Sequence, residues 1–176
     1  MAEFLVLALL PVVFGIALGH LTGGRLVEVA GRFRALWLLW LACAVQALQM
    51  RALLPVVFAI GLAWLVVNLR AWPSSLRWAG FVALTGATCN GIAIALNGRM
   101  PYSRAAAELV GVPPGAATSK NAPADSDTRL LFLGDVIPVP ALHKIVSVGD
   151  VLIALGVVLL LALAMQPVKS RKEVMG

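Results

Sequence analysis

The chain has 176 residues, of which 61% are hydrophobic and 12% charged, with a net charge of +6 and a mean hydropathy of +0.95. So little polar surface cannot cover one soluble core, which excludes a water-soluble globular domain, and the apolar excess excludes intrinsic disorder. The 16 Gly and 10 Pro follow no period and the 2 Cys cannot form a framework, which excludes collagen and disulfide scaffolds, while the basic residues form no aromatic-interleaved stripe for nucleic acid.

Charge-free stretches at residues 4–24, 35–50, 52–69, 78–98 and 151–168 predict five membrane helices, because a span needs about 20 mostly apolar residues. The start Met1-Ala2-Glu3-Phe4 has no basic n-region, so the first run is expected to stay as a span. Its segment Ala8-Leu9-Leu10-Pro11-Val12-Val13-Phe14 recurs as Ala52-Leu53-Leu54-Pro55-Val56-Val57-Phe58. That repeat is either a duplication of helices one-two as three-four or a coincidence in a biased alphabet. Pro55 suits the first turn of a new helix. Asn97-Gly98 followed by Met100-Pro101 predicts the end of helix four, with a pair that tolerates left-handed backbone and then a proline. Residues 102–110 are expected to form a short amphipathic helix, and Pro113-Pro114-Gly115 with the tract from Ala116 to Thr128 a flexible loop. The run from Leu130 to Pro140 is apolar but broken by Gly134, Asp135, Pro138 and Pro140, which predicts irregular backbone lying on or in the outer leaflet.

Orientation follows from the positive-inside rule. Arg25, Arg32, Arg34, Arg70, Arg77, Lys169, Arg171 and Lys172 fall on one side, against Arg51 alone in the other short connection. The N-terminus is therefore expected outside, the C-terminus in the cytoplasm, and residues 97–145 in an extracytoplasmic cap. Eight basic and two acidic residues then face inward, and six of each outward, so the positive excess meets anionic cytoplasmic lipid.

Polar groups in apolar runs invite a functional reading. Asn90 and Asn97, two turns apart, either glue helices together near Thr85, Gly86, Thr88 and Gly91 or wall an outward cavity. Gln46, Gln49 and Asn68 sit near helix ends, where hydration accounts for them. Cys43 and Cys89 read as small core residues. Asp150, after Ser147-Val148-Gly149, suits a helix-capping role. Asp135 has no such role, so it either pairs with Arg99 or Arg129, sits in a local turn, or meets Asp150. Two carboxyls in contact would share a proton and could activate water. His20 and His143 lie on opposite faces, which excludes a two-His metal site. His143 with Ser147 lacks the Gly-x-Ser-x-Gly elbow of a nucleophilic triad.

The segments Asn97-Gly98-Arg99-Met100-Pro101, Thr128-Arg129-Leu130-Leu131-Phe132-Leu133-Gly134-Asp135-Val136-Ile137-Pro138 and Val146-Ser147-Val148-Gly149-Asp150-Val151-Leu152 resemble the bacterial membrane-protein family catalogued as domain of unknown function 5317. That resemblance implies an architecture without an activity. Leu133-Gly134-Asp135-Val136-Ile137 and Ser147-Val148-Gly149-Asp150 are also similar to the two aspartate motifs of lipoprotein signal peptidases. There the first aspartate lies in the last loop and the second at the start of the final helix. Ser147 stands where those enzymes carry Asn, Gly149 replaces Ala, and their Gly-Asn-x-x-Asp-Arg stretch is absent.

The sequence thus predicts an all-α, polytopic integral membrane bundle of about five transmembrane helices in a single domain, with an ordered extracytoplasmic loop before the last helix. The expected location is the plasma (inner) membrane, with lipid as partner, a protein partner docking on the outer loop, and no metal, cofactor or nucleic acid. Three functions remain open. The leading one is a non-catalytic membrane component or subunit of unknown biochemical activity. Another is a carrier of a lipid or small apolar solute, using Asn90, Asn97, Arg99 and Arg129. A third is a hydrolase built on Asp135 and Asp150.

Overall fold

The computed structural model describes residues 2–48, 53–118 and 120–167. Arg51, Lys169, Arg171, Lys172, Glu173 and Gln49, all used in the sequence reading, lie outside the described residues. Among the described residues there are six α-helices and four short strands: α1 (Ala2–Leu21), α2 (Leu36–Ala47), α3 (Leu54–Leu69), α4 (Ser74–Asn97), β1 (Met100–Tyr102), α5 (Arg104–Leu109), β2 (Asn121–Pro123), β3 (Asp135–Val139), β4 (Lys144–Ser147) and α6 (Val148–Ala164). The five apolar runs became α1, α2, α3, α4 and α6, and the short amphipathic stretch became α5. α4 is long and apolar enough to cross a membrane, whereas the apolar stretches Leu9–Leu21, Leu36–Val45, Val56–Leu69 and Val148–Ala164 are shorter, at 10–17 residues.

Local chemistry accounts for several boundaries. Pro55 lies in the first turn of α3, where a missing N–H costs nothing. The matching Pro11 lies inside α1, so the two copies of the repeated heptad occupy different helical positions. α4 stops at Asn97 because Gly98 turns left-handed, at φ +69°. α5 starts at Ser103, whose hydroxyl accepts from the Ala106 N–H at 3.3 Å.

α6 is the central helix, packing against both α4 and α1, while α2 packs on α3. Small residues allow the close approach of α4 and α6. A Cβ on Gly86 would lie 2.5 Å from the Gly149 carbonyl oxygen, and one on Gly156 would lie 2.6 Å from the Ala83 Cβ. Toward the end where α4 begins, Leu65, Trp72, Leu76, Ala79, Leu160 and Ala164 form the buried core. Phe33, Trp64 and Trp72 pack their rings at 5.6–6.0 Å around it. Asn68 is fully buried there. Its Oδ1 accepts from the Arg34 N–H at 2.7 Å, and its Nδ2 donates to the Arg34 and Trp64 carbonyls at 3.0 and 2.8 Å. Hydration therefore does not account for Asn68: it clamps the α2 entrance onto α3.

The all-α expectation needs one correction. Between α4 and α6 the chain forms a four-stranded sheet in the order β2-β1-β3-β4. β1 is parallel to both β2 and β3, and β3 is antiparallel to β4. The tract read as a flexible loop contains β2, and the apolar run read as irregular becomes a 3-10 turn at Leu131–Leu133 followed by β3. Pairing provides the reason. Asp135-Val136-Ile137-Pro138-Val139 finds its backbone partners on β4 and on Tyr102, so apolar content and proline do not exclude it from a sheet edge. Cys43 is exposed and Cys89 half-buried, so Cys43 is no core residue.

Candidate functional site

The two aspartates singled out by sequence flank Ser147 where the sheet meets α6, Asp135 opposite it in the ladder and Asp150 capping it. β4 ends at Ser147, and α6 begins at the next residue. Ser147 is fully buried and opposes Asp135 across the β3–β4 ladder. Its Oγ accepts from the Asp150 N–H at 2.9 Å, and the Asp150 Oδ2 accepts from the Ser147 N–H at 3.1 Å. That reciprocal capping box fulfils the role expected of Asp150.

α4 contributes the third side of the site. Buried Asn90 donates from Nδ2 to the Asp150 Oδ1 at 2.7 Å and accepts from the Ser147 Oγ at 2.8 Å. One amide thus joins the carboxylate and the hydroxyl that start α6. Both glycines that precede the aspartates have steric causes. A Cβ on Gly149 would collide with the Asn90 Oδ1 and lie 2.6 Å from the Gly86 carbonyl, and one on Gly134 would collide with the Pro101 carbonyl.

Asp135 is 7% exposed. Its Oδ2 accepts from the Asn121 Nδ2 at 2.7 Å, and its backbone carbonyl accepts from the Ser103 N–H at 2.9 Å. Burial raises its pKa from 3.8 to about 7; the charge of Asp150 adds to the rise, and the Asn121 hydrogen bond opposes it. Asp135 does not pair with Arg99 or Arg129, as one sequence reading had it; its partner is an amide. Asn121 was missed because an asparagine in a polar tract between prolines reads as loop chemistry.

The remaining predicted residues stand apart from this pair. Asn97 accepts from the Arg129 N–H at 2.8 Å and donates to the Arg129 carbonyl at 2.9 Å and to the Ala93 carbonyl at 2.8 Å. It fastens the end of α4 to the backbone just before Leu130, a residue held at φ +49°. The Arg99 guanidinium reaches the Thr118 carbonyl at 3.3 Å. His143 approaches the Val110 carbonyl at 3.2 Å, while the Ser147 hydroxyl is held by Asn90 and Asp150, so the two form no nucleophile-base pair. Among the described residues no group of three or more His, Cys, Asp or Glu could hold a metal ion.

The chemistry to which such an arrangement is suited is proton transfer. A carboxyl near half-protonation at neutral pH lies within electrostatic reach of a second carboxylate, and each is oriented by its own asparagine. No curated protein matches the chain, and no solved structure matches it. Residues 30–162 match the model described as a family of unknown function, DUF5317, and the chain belongs to that family.

Proposed function

We propose that this is a multi-pass membrane protein whose sheet and final helix hold an aspartate-pair hydrolase site at the extracytoplasmic interface. The observation that carries the reading is that buried Asp135 opposes Ser147, the residue bonded to the Asp150 carboxylate, and that the charge of Asp150 acts on Asp135. A buried carboxyl with no cation beside it is costly to a fold. Proton sharing between carboxyls gives it a use, with one group activating water and the other protonating the leaving atom. Asn90 and Asn121 would act as positioning residues. The substrate fits the class of membrane-anchored molecules with a peptide or ester bond at the bilayer surface. Beside Asp150, Val148, Val151 and Leu155 present exposed apolar side chains along α6, on which an apolar anchor could lie.

The membrane setting is supported by surface chemistry. Large apolar side chains stand out from the helices, among them Phe14 at 62% and Trp40 at 76% exposure, more than water tolerates on a monomer. Arg25, Arg32, Arg34, Arg70 and Arg77 sit around the end opposite the sheet. There the Arg32 guanidinium donates to the Gln166 carbonyl, and Trp72 donates to the Arg32 carbonyl. This charge separation fits an N-terminus outside and a C-terminus in the cytoplasm.

A second reading is favoured by the complete hydrogen bonding of Asn90, Ser147 and Asp150. In a non-catalytic membrane component, the same network would only fasten the cap to the bundle. Asp135→Asn and Asp150→Asn distinguish the two readings. A catalytic pair requires that both variants reach the membrane at native levels while cleavage of lipid-anchored peptides, followed by mass spectrometry in cells and in detergent, falls at least about a hundredfold. Native cleavage in either variant, or the same peptide pattern with and without the gene, would leave the fastening role.

A further inference from the structure

At the opposite end of α4 from the aspartate site, α3 and α4 form a helical hairpin joined by residues 70–73. The hairpin opens into a groove of about 470 Å³. Its polar wall is Arg70, Ser74 and Arg77, and its apolar wall includes Val66, Trp78 and Phe81. Leu69 and Trp78 adjoin the two arginines, and deeper in the bundle the lining is apolar. Val66 lies one turn before Arg70 on α3, and Phe81 one turn after Arg77 on α4. At a rise of 1.5 Å per residue, the apolar layer is about 6 Å further toward the middle of the bundle than the charged layer. Trp78 and Phe81 meet edge-on at 6.1 Å, and Trp78 is 72% exposed, as suits an aromatic ring at a membrane interface.

Among the described residues the charged layer has no counter-charge. Among the described residues no carboxylate pairs with Arg70 or Arg77, and the Arg77 guanidinium reaches only the Ser74 hydroxyl, at 3.4 Å. Two guanidinium groups and a hydroxyl at the rim of an apolar cleft match a phosphate oxyanion that carries hydrocarbon beneath it. We infer that this groove holds one anionic phospholipid, with its phosphodiester against Arg70, Ser74 and Arg77 and an acyl chain along Val66 and Phe81. The inference rests on the membrane-spanning reading of the chain but not on the chemistry of Asp135.

Native mass spectrometry of the detergent-purified protein tests the assignment, with phosphatidylglycerol, phosphatidylcholine and inorganic phosphate titrated separately. One phosphatidylglycerol should remain bound under activation that strips phosphatidylcholine, and affinity should fall about fivefold for each arginine removed in Arg70→Gln and Arg77→Gln. The variant Arg25→Gln/Arg34→Gln, which removes the same charge from exposed positions at the same end, should retain the lipid. Equal retention of the two lipids, binding of inorganic phosphate as tight as that of phosphatidylglycerol, or equal losses in the two arginine pairs would each overturn the assignment. Release of the chain from membranes by alkaline carbonate would instead overturn the spanning reading. Asp135→Asn should bind phosphatidylglycerol as the native protein does, whatever becomes of cleavage.

Discussion

Asp135 is a carboxyl removed from water and placed near another carboxylate, and its stability contribution has a definite sign. Its pKa is higher in the fold, at about 7, than the ordinary 3.8, so the folded chain binds more protons than the unfolded one between these values. The contribution is complete below about pH 4 and is lost as pH rises to about 7, at about 1.4 kcal/mol for each pH unit. Thermal unfolding in detergent should therefore show the native protein losing stability across that window and levelling above it, while Asp135→Asn changes less. Parallel curves for the two proteins would mean that no buried carboxyl titrates at this position. Both aspartates were legible in the sequence because charge in an apolar run demands a partner. Asn121 was not, since its relevance arises only from the pairing of β1 with β2, which sets Asn121 opposite Met100.

Among the elements, the five long helices could be read from the chain because each is built on a long apolar run closed by charge, Gly or Pro. The strands could not. β1 and β2 have three residues each, too few for alternation to show, and their partners lie far away in sequence. The contact of α4 with α6 was legible only as a cluster of small residues, whose function depends on what faces them. Gly149→Ala places a methyl group on the Asn90 Oδ1 and should destabilise the protein by about 1–3 kcal/mol, as overpacking does. Gly61, inside α3, has nothing within 4 Å of its missing Cβ. Gly61→Ala should therefore stabilise by up to about 1 kcal/mol through helix propensity. Unfolding midpoints of the two variants measured side by side check the contrast, and equal losses would show that α4 and α6 do not approach so closely.

At the scale of the whole molecule, the basic helix ends and the charge-balanced cap lie at opposite poles. In a Cys43→Ala/Cys89→Ala background, Ser126→Cys on the cap should react with a membrane-impermeant maleimide applied to intact cells. Ser75→Cys, at the start of α4, should react only after the membrane is opened; the reverse pattern would invert the orientation. The direct passage from β4 into α6, with Ser147 belonging to one and capping the other, has a consequence for biogenesis. Asn90 enters the growing protein some 60 residues before both of its side-chain partners. Until the terminal helix is delivered, an amide stands unsatisfied within an apolar segment, at a cost of a few kcal/mol. A ribosome that stops before Asp150 leaves that blemish in place for quality-control proteases to find, and only a chain that carries α6 hides it.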